Sequence, residues 1–539
     1  MRISIKHLLT APFCDNRELL FVLCLLAGSA DLFFWTIRSF SYPDTGPLFG
    51  AYMFMHSFVM VYLIVFLCGL IKGKLYKVAK WIFIALGVVN LCIDTGVHVI
   101  MGYGFNEDFV AVIMGTNAGE AKEFLEMYVN KEMVLFVVSV LTLSILIILC
   151  SDRLPKTPDW VALTGVAVFV VSCIVIGMRH SNKWNSVYLM KINTFLQYKK
   201  VPDLRSYSQT YDMTQIGRQP ENVVLIIGES LNKNHMSLYG YNKSTTPVLD
   251  SLEKTNNLVV FDEVSSSGIM TIKSFVSMMT TLKSSDVTQD WSSDSFFLDF
   301  VKSAGYDVRW ISNQASVGVH DNVVARFAEL SDSLVWCGTK FMGVFKHDLD
   351  SVVLAPVKER SEEPGQRKFT LVHLNGSHQH FRSRYPDSYS IYKSQDYGDY
   401  PEQQRTILAE YDNSVCYNDR IIGSIIDCFK SSDAIIIYLS DHALDIFESS
   451  PDYAGHARGE IEASVKAAKQ IPFLIYMTDG FIQQSDSTYQ RIVKSVHKPF
   501  ETENLMYAIM DIMGVDFSGE NQGIVKQYSF FTDAPAATH

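Results

Sequence analysis

Apolar residues are unevenly distributed along this chain of 539 residues. Five apolar stretches before about residue 180 are each long enough to cross a hydrocarbon layer ~30 Å thick. They cover residues 18–40, 48–71, 78–101, 133–150 and 160–178. The pattern predicts an N-terminal transmembrane bundle of five α-helical spans over residues 1–178. The excess of apolar residues in this part also explains a mean hydropathy of +0.12, which is high for a soluble protein.

Basic residues in the short loops predict the orientation of these spans. Lys and Arg precede the first span and cluster between the second and third spans and between the fourth and fifth, whereas loops 41–47 and 102–132 are acidic on balance. Cytoplasmic loops carry the excess of Lys and Arg. The N-terminus is therefore predicted to be cytoplasmic, and five crossings place everything after residue 178 on the other side.

Two connecting segments lie around the last two spans. The outer loop contains the run 116–121, whose apolar spacing allows a short interfacial helix, although a solvated connector fits equally well. Residues 179–220 are polar, with an amphipathic piece around 187–198. We predict that residues 179–220 form a juxtamembrane linker rather than a domain.

Short apolar runs alternate with helical patterns in residues 221–539, which we predict to be one soluble domain. Strands are predicted at 223–227, 307–311, 369–374, 434–440 and 473–477, and a long helix at 403–429. This alternation is typical of an α/β domain with a mainly parallel sheet covered by helices on both faces. Continuous β-branched runs such as 223–227 indicate strands that are buried on both sides.

Charge and cysteine content narrow the possible functions. A formal net charge of −11 argues against nucleic acid as a partner. Six of the nine cysteines lie in or beside the membrane segment, and only Cys337, Cys416 and Cys428 lie beyond it. Cys416 and Cys428 are too far apart along one helix to be bridged. The soluble domain therefore has at most one intramolecular disulfide.

Two of the predicted strands end in side chains that bind metals. Glu229 directly follows the strand 223–228, and Asp441 and His442 directly follow the strand 434–440. Open α/β sheets bind ligands at the carboxyl ends of their strands. Two carboxylates and one imidazole suit Zn²⁺ or Mn²⁺ better than Ca²⁺, which prefers oxygen ligands alone. Each tip taken alone could instead cap a helix or stabilise a turn.

A nucleophile and several histidines complete the candidate site. Thr271 begins the helical stretch 271–282, where the helix N-terminus favours anions and a metal would acidify the hydroxyl. The same threonine could be an ordinary helix cap. His373, His378 and His380 follow a predicted strand, and His456 follows the Asp441–His442 tip. Histidines there could bind a phosphate, transfer a proton or hold a second metal ion.

The chain resembles the phosphoethanolamine transferases, membrane enzymes of the alkaline phosphatase/sulfatase superfamily. The resemblance is strongest to the branch that modifies the lipopolysaccharide core, and the five predicted spans agree with it. The matching segments are Gly228-Glu229-Ser230, Met236–Tyr241, Thr245-Thr246-Pro247, 310–314, 353–356, 373–378, Arg384-Tyr385-Pro386, 411–413, 417–419 and Ser440-Asp441-His442.

The resemblance implies a zinc enzyme that works in two half-reactions. Thr271 would take phosphoethanolamine from phosphatidylethanolamine and pass it to a lipopolysaccharide core, lipid A or another surface glycan. The enzyme would lie in the inner membrane of a Gram-negative bacterium, with its catalytic domain in the periplasm. A second zinc ion remains open. The implied roles are metal ligation by Glu229, Thr271, Asp441 and His442, phosphoryl contact by His378 and His456, and substrate contact by Asn313, His373, Thr116 and Glu120.

The sequence departs from the family pattern at several positions. Ala443-Leu444-Asp445 stands where the family usually has Gly-Glu, so that Asp445 or Glu448 would have to orient the metal ligands. Asn232 replaces an arginine that is common after Gly-Glu-Ser. Two alternative functions remain open: transfer of another lipid headgroup such as glycerol phosphate, and a non-catalytic sensor that binds lipid.

Overall fold

The structure is a computed structural model of the chain, and it forms two compact units. Among the residues that the structure describes, the first unit contains the apolar helices up to residue 178, and the second contains the residues from 202 onward. The structure describes residues 5–41, 47–101, 131–151, 153–178, 202–286, 291–314, 323–341, 344–346, 348–365, 367–398, 400–458 and 461–532. The run 116–121 with Thr116 and Glu120, and the amphipathic piece 187–198, lie outside these ranges and stay predictions.

Six helices make up the described part of the first unit. They are α1 (Ile5–Cys14), α2 (Arg17–Ser41), α3 (Pro47–Gly69), α4 (Lys74–Met101), α5 (Lys131–Ser151) and α6 (Asp159–Met178). Within α3, α4, α5 and α6, four segments are long and apolar enough to cross a membrane: Ala51–Gly69, Lys74–Ile93, Val134–Ser151 and Asp159–Met178. The first predicted span lies in α2, a helix of 25 residues that is not among these four. Five spans therefore stay a prediction.

Helix α2 lies at the centre of this unit, packed against α3, α4 and α5. Its Leu23 and Leu26 leave so little space that a Cβ at Gly87 of α4 would lie 3.1 Å from Leu26 Cδ1. An ion pair of 2.9 Å joins Glu18 of α2 to Lys80 of α4. The outward faces of α4, α5 and α6 carry exposed Leu, Ile and Val side chains, as expected of helices that contact lipid.

A sheet of seven strands forms the centre of the second unit. Its strand order is β3-β13-β10-β2-β9-β5-β6. The strands are β2 (Asn222–Gly228), β3 (Leu258–Phe261), β5 (Asp307–Ser312), β6 (Ser333–Trp336), β9 (Lys368–His373), β10 (Ala434–Ser440) and β13 (Phe473–Met477). Only β13 runs against the other six strands, because it pairs antiparallel with both β10 and β3. The predicted strands are confirmed, but the sheet is mixed.

Short strands and helices surround this sheet. The remaining strands are β1 (Met213–Gln215), β4 (Val264–Ser265), β7 (Thr339–Phe341), β8 (Val344–Lys346), β11 (Asp445–Ile446), β12 (Ala454–Gly455), β14 (Phe500–Glu501) and β15 (Val515–Phe517). The helices are α7 (Pro247–Glu253), α8 (Thr271–Met279), α9 (Phe297–Ser303), α10 (Val323–Ala328), α11 (Leu354–Glu362), α12 (Glu402–Phe429), α13 (Glu462–Lys469), α14 (Asp479–Gln484), α15 (Asp486–Lys494), α16 (Leu505–Ile512) and α17 (Ile524–Tyr528).

Every residue of β2 and β10 is buried, so both faces of the sheet are covered at its centre. On one face Val223, Leu225 and Ile227 belong to a core that includes residues of α8, α9 and α16. Helix α12, which confirms the predicted long helix, contacts β10 and packs along α11. The continuous apolar runs in the sequence arise from this double coverage.

The prediction of a linker over residues 179–220 is wrong for its last part. Leu204 is fully buried in the core of the second unit, and β1 pairs with β15 near the other end of the chain. Arg218 forms an ion pair with the buried Asp433. The soluble unit therefore already includes the described residues from 202 onward. All nine cysteines are free, so the structure has no disulfide.

Candidate metal centre and nucleophile

The two predicted metal-binding tips lie side by side at one edge of the sheet. Strands β2 and β10 are parallel neighbours, and Gly228 pairs with Ser440 at their carboxyl ends. The next residues, Glu229, Asp441 and His442, each place one ligand atom within 4.8 Å of the others. All three are buried, with at most 1% of their surface exposed. The structure therefore brings these three predicted ligands together, and metal binding by them stays a prediction.

A backbone contact fixes the orientation of His442. Its Nδ1 lies 2.9 Å from the carbonyl oxygen of Ala443. Because a carbonyl only accepts, Nδ1 carries a hydrogen, and Nε2 is the ring nitrogen that faces the cluster. Nε2 lies 3.2 Å from Glu229 Oε1 and 3.6 Å from Asp441 Oδ2. Nε2 is therefore the nitrogen that could bind a metal ion in exchange for its proton.

The two oxygens of Asp441 have different surroundings. Oδ1 accepts from the backbone N–H groups of Ser230 (3.2 Å) and His442 (2.7 Å). Oδ2 is buried and has no hydrogen-bond partner among the residues that the structure describes. An uncompensated buried carboxylate oxygen is costly. A cation bound between Asp441, Glu229 and His442 would remove that cost, so this set of donors fits a zinc ion.

Burial and the charges of their neighbours shift the pKa values of all three groups. Burial, together with the nearby charge of Glu229, raises the pKa of Asp441 to about 8. Burial opposes ionisation of Glu229, but the hydrogen bond and charge of His442 lower its pKa below the ordinary range. Burial opposes protonation of His442, but the charges of Asp441 and Glu229 raise its pKa to about 9. A bound metal cation would displace the protons that this cluster holds.

The hydroxyl of Thr271 points into the same cluster. Its Oγ1 lies 3.3 Å from Glu229 Oε2 and 3.4 Å from His442 Nε2. Met270 occupies the cap position of α8, and Thr271 is the first helical residue. Thr271 is therefore not a helix cap, which excludes the alternative for this residue. Its hydroxyl sits beside the metal-binding atoms at a helix N-terminus, where a negative group is favoured.

Close backbone contacts hold Glu229 and Asp441 in place. The amide of Ser377 donates to the carbonyl of Glu229 at 2.9 Å. A Cβ at the preceding Gly376, which has a φ of +51°, would lie 2.7 Å from the backbone N and O of Glu229. Ser266 donates to the carbonyl of Asp441 at 2.5 Å. Loops from distant parts of the chain therefore contact the backbones of both predicted ligands. The sequence did not predict these contacts.

His378 and His456 lie on the metal side of the fold. His456 follows the hairpin of β11 and β12, and its ring centroid is 5.2 Å from that of His442. Burial, together with the charges of His442 and His378, lowers the pKa of His456 to about 3. The half-buried His378 is close enough to Glu229 for its charge to lower the pKa of that carboxyl. These two predicted residues are therefore brought to the site.

Two predicted substrate contacts are not brought to a surface. His373 is 1% exposed, packs against Phe275 at a ring distance of 4.8 Å, and burial lowers its pKa to about 4. Asn313 is fully buried and donates to the carbonyl of Asp348 and to the carboxylate of Asp350. Both residues lie at the correct edge of the sheet but beneath its loops. Both side chains are buried here, and substrate contact by either of them stays a prediction.

The departures from the family pattern also have structural consequences. Asp445 is fully buried and accepts from the backbone N–H groups of Glu448 and Ser449 and from the hydroxyl of Ser464. Glu448 accepts from Asn232 at 3.1 Å. Neither acid is seen to orient a metal ligand, and the carbonyl of Ala443 holds His442 instead.

One supporting residue was missed from the sequence. Asp350 is 5% exposed, and its carboxylate accepts from Asn313 and from the backbone N–H groups of Asn375 and Gly376, each at 2.9 Å. Burial raises its pKa, although these hydrogen bonds work in the opposite direction. A single acid outside any strand-tip pattern gives no signal in the sequence.

Comparison with known proteins identifies the family. The family model described as Sulfatase matches residues 221–515, more than half of the chain. The chain belongs to the sulfatase family. The match begins at β2 and ends at the start of β15, so it contains every residue of the candidate metal centre.

Similar proteins indicate a narrower group of enzymes that this chain resembles. Phosphoethanolamine transferase EptC of Escherichia coli is 25% identical over 459 residues, covering 78% of this chain and 77% of that protein. The crystal structure of its C-terminal periplasmic domain with Zn covers 61% of this chain and 91% of that domain, with a TM-score of 0.54. The integral membrane protein lipooligosaccharide phosphoethanolamine transferase A from Neisseria meningitidis shares the fold over 95% of this chain and 99% of its own, with 18% identity and a TM-score of 0.66. The resemblance to the phosphoethanolamine transferases is confirmed.

Proposed function

We propose that this enzyme transfers phosphoethanolamine from phosphatidylethanolamine, through a phosphothreonine at Thr271, to a lipopolysaccharide core, lipid A or another surface glycan. A single observation carries the proposal. The Thr271 hydroxyl lies 3.3–3.4 Å from Glu229 and His442, beside a buried oxygen of Asp441 that lacks a hydrogen-bond partner among the described residues. A hydroxyl in a cage of metal ligands at a helix N-terminus is arranged for attack on phosphorus.

One zinc ion would be held by Glu229, Thr271, Asp441 and His442. When bound, it lowers the pKa of the threonine hydroxyl and neutralises charge on the phosphoryl oxygens. EptC with Zn supports this choice of metal. Burial of the two carboxylates and the hydrogen bond from His442 to the carbonyl of Ala443 keep the ligand atoms in place, so little reorganisation is needed when the substrate binds.

The first half-reaction forms the Thr271 Oγ–P bond and breaks the P–O bond to diacylglycerol. The Thr271 hydroxyl gives up its proton, the departing oxygen takes one up, and diacylglycerol is released. In the second half-reaction an acceptor oxygen attacks the phosphothreonine and gives up its proton, and Thr271 leaves and regains a proton as the hydroxyl. His378 and His456 contact the phosphoryl group, and the imidazole of the half-buried His378 donates or accepts the proton at the departing or attacking oxygen.

Both substrates reach the site from a membrane surface. Five apolar helices, with α2 as the first span, anchor the chain with its N-terminus in the cytoplasm and its catalytic unit in the periplasm. The excess of Lys and Arg in alternate loops supports this orientation. The name of the Neisseria meningitidis protein, a lipooligosaccharide phosphoethanolamine transferase, supports a surface glycolipid as the acceptor.

Intact mass of the full-length protein in vesicles of phosphatidylethanolamine tests the proposal. We expect zinc-loaded protein to gain the mass of one phosphoethanolamine and to release diacylglycerol, and we expect Thr271→Ala to do neither. Vesicles of phosphatidylglycerol serve as the control for headgroup. An adduct with glycerol phosphate alone would replace the donor in this proposal. Zinc-loaded protein that forms neither an adduct nor diacylglycerol would refute it and favour a lipid-binding sensor.

A further inference from the structure

The buried carboxylate of Asp350 accepts hydrogen bonds from the loop that carries His378. Both oxygens of Asp350 are used: Oδ1 accepts from Asn375 N and from the side chain of Asn313, and Oδ2 accepts from Gly376 N. The backbone of Asn313 is held in turn, because its backbone N–H donates to the carbonyl of His373 and its backbone carbonyl accepts from Asn375 Nδ2. The carboxylate therefore sits in a closed network of neighbouring strand ends and loops.

The other side of the same loop contacts the backbone of Glu229, one of the proposed metal ligands. Ser377 donates to the carbonyl of Glu229, and Gly376 has no room for a Cβ against that peptide. His378 follows at once, and its backbone N–H donates to the carbonyl of Asn375 at 3.1 Å. The loop 375–378 is thus clamped between the Asp350 carboxylate and the Glu229 peptide.

We propose that Asp350 is a positioning residue for phosphoryl transfer, which sets the place of His378 relative to the nucleophile by holding Asn375 and Gly376. This inference rests on the proposed function. Asp350 does not contact the metal-binding atoms, so it acts on turnover through His378 rather than through the zinc ion. Misplacing a catalytic group by about 1 Å can cost ~100-fold in rate.

The chemistry of the contact requires a carboxylate. The backbone N–H groups of Asn375 and Gly376 and the side-chain NH₂ of Asn313 all donate to Asp350. An ionised carboxylate, which has only acceptors, can accept from all three. In Asp350→Asn the new NH₂ group would face one of these donors, and one hydrogen bond would be replaced by repulsion. We expect kcat at saturating zinc to fall by tenfold or more, with the KM for phosphatidylethanolamine nearly unchanged.

Asp419 provides a matched control. It is a buried carboxylate, 2% exposed, and it accepts from two backbone N–H groups, those of Val248 and Leu249, at 2.9 Å each. It holds the start of α7 and not the His378 loop. In hydrogen exchange on the full-length protein, Asp350→Asn should accelerate exchange in residues 374–380, whereas Asp419→Asn should accelerate it only around α7 and leave kcat within about twofold of the wild type.

A double-mutant comparison separates positioning from general support of the fold. If Asp350 acts through His378, the double variant with Asp350→Asn and His378→Ala should be no slower than His378→Ala alone, within about twofold. Combined with His456→Ala, the loss caused by Asp350→Asn should instead multiply. If Asp350→Asn does not fold, Asn313→Ala leaves the carboxylate in place but removes a hydrogen bond that orients it, and the same comparison applies.

The inference is overturned by unchanged exchange in residues 374–380, or by losses that multiply fully in the double variant with His378→Ala. A KM that rises while kcat is retained would also overturn it. The proposed function fails separately, when zinc-loaded wild-type protein releases no diacylglycerol. The two failures are therefore distinguishable in the same set of proteins.

Discussion

Gly376 offers the sharpest test of how the candidate metal centre is built. Its φ of +51° lies in the left-handed region, and a Cβ there would lie 2.7 Å from both the N and O atoms of the Glu229 backbone. Gly376→Ala therefore introduces two separate costs. The left-handed conformation costs roughly 1–2 kcal/mol for a residue with a Cβ, and forcing the extra carbon into a packed site costs about 1–3 kcal/mol.

Gly519 separates these two costs. It also has a left-handed φ, +70°, but a Cβ there would meet nothing within 4 Å. Gly519→Ala should therefore lose only the conformational part, and Gly376→Ala should be destabilised by about 1–3 kcal/mol more. We expect the full-length protein with Gly376→Ala to melt several degrees below the one with Gly519→Ala.

The clash at Gly376 also predicts a weaker metal site. Relief of the contact requires the Glu229 peptide to shift, and with it the carboxylate. Disturbing the groups that orient metal ligands typically costs about 10- to 100-fold in affinity. Titration with a zinc chelator should show this loss in Gly376→Ala and not in Gly519→Ala. Equal melting temperatures and equal zinc affinity in the two variants would refute the idea that this loop holds Glu229.

Further predictions concern the nucleophile, the ligands and the cysteines. Thr271→Ala should abolish turnover while the melting temperature is retained, and Thr271→Ser should keep measurable turnover; an active alanine variant would exclude Thr271 as the nucleophile. Asp441→Asn should lower zinc content, measured by elemental analysis against the exposed control Asp452→Asn, because it removes a charged ligand. Ser266→Ala should destabilise the protein by about 1–3 kcal/mol, since the carbonyl of Asp441 loses its buried donor, and an unchanged melting temperature would contradict this. A reducing agent should leave the melting temperature unchanged, because all nine cysteines are free; a drop would reveal a disulfide.

The sequence predicted the metal-binding tips because their information is local. An apolar run that ends in Glu229, and another that ends in Asp441-His442, can be recognised without knowing which strands are neighbours. Parallel strands then bring such tips to one edge of the sheet, and here β2 and β10 pair directly. The orientation of β13 was not predictable in the same way, since an apolar run reads equally well in either direction.

The sequence also did not predict how deeply the side chains at that edge of the sheet are buried. Asn313 and His373 follow or end strands much as Glu229 does, yet loops cover both of them. Covering depends on contacts such as that of Asp350 with Asn375, between residues that no periodicity connects. The start of the soluble unit was missed for a similar reason, because β1 finds its partner only in β15, near the other end of the chain.

The separation of the metal-binding residues along the chain determines when the site can form. Glu229 follows the second strand of the soluble unit, whereas Asp441 and His442 follow the tenth. Ribosomes synthesise the chain from its N-terminus, so the Glu229 tip exists for a long time before its partners do. Any fragment that ends before residue 441 lacks two of the three grouped ligands. If the proposed zinc ion binds here, it can bind only after strands β2 and β10 have paired, and a nascent or truncated chain that lacks residues 441 and 442 has no complete site for the ion.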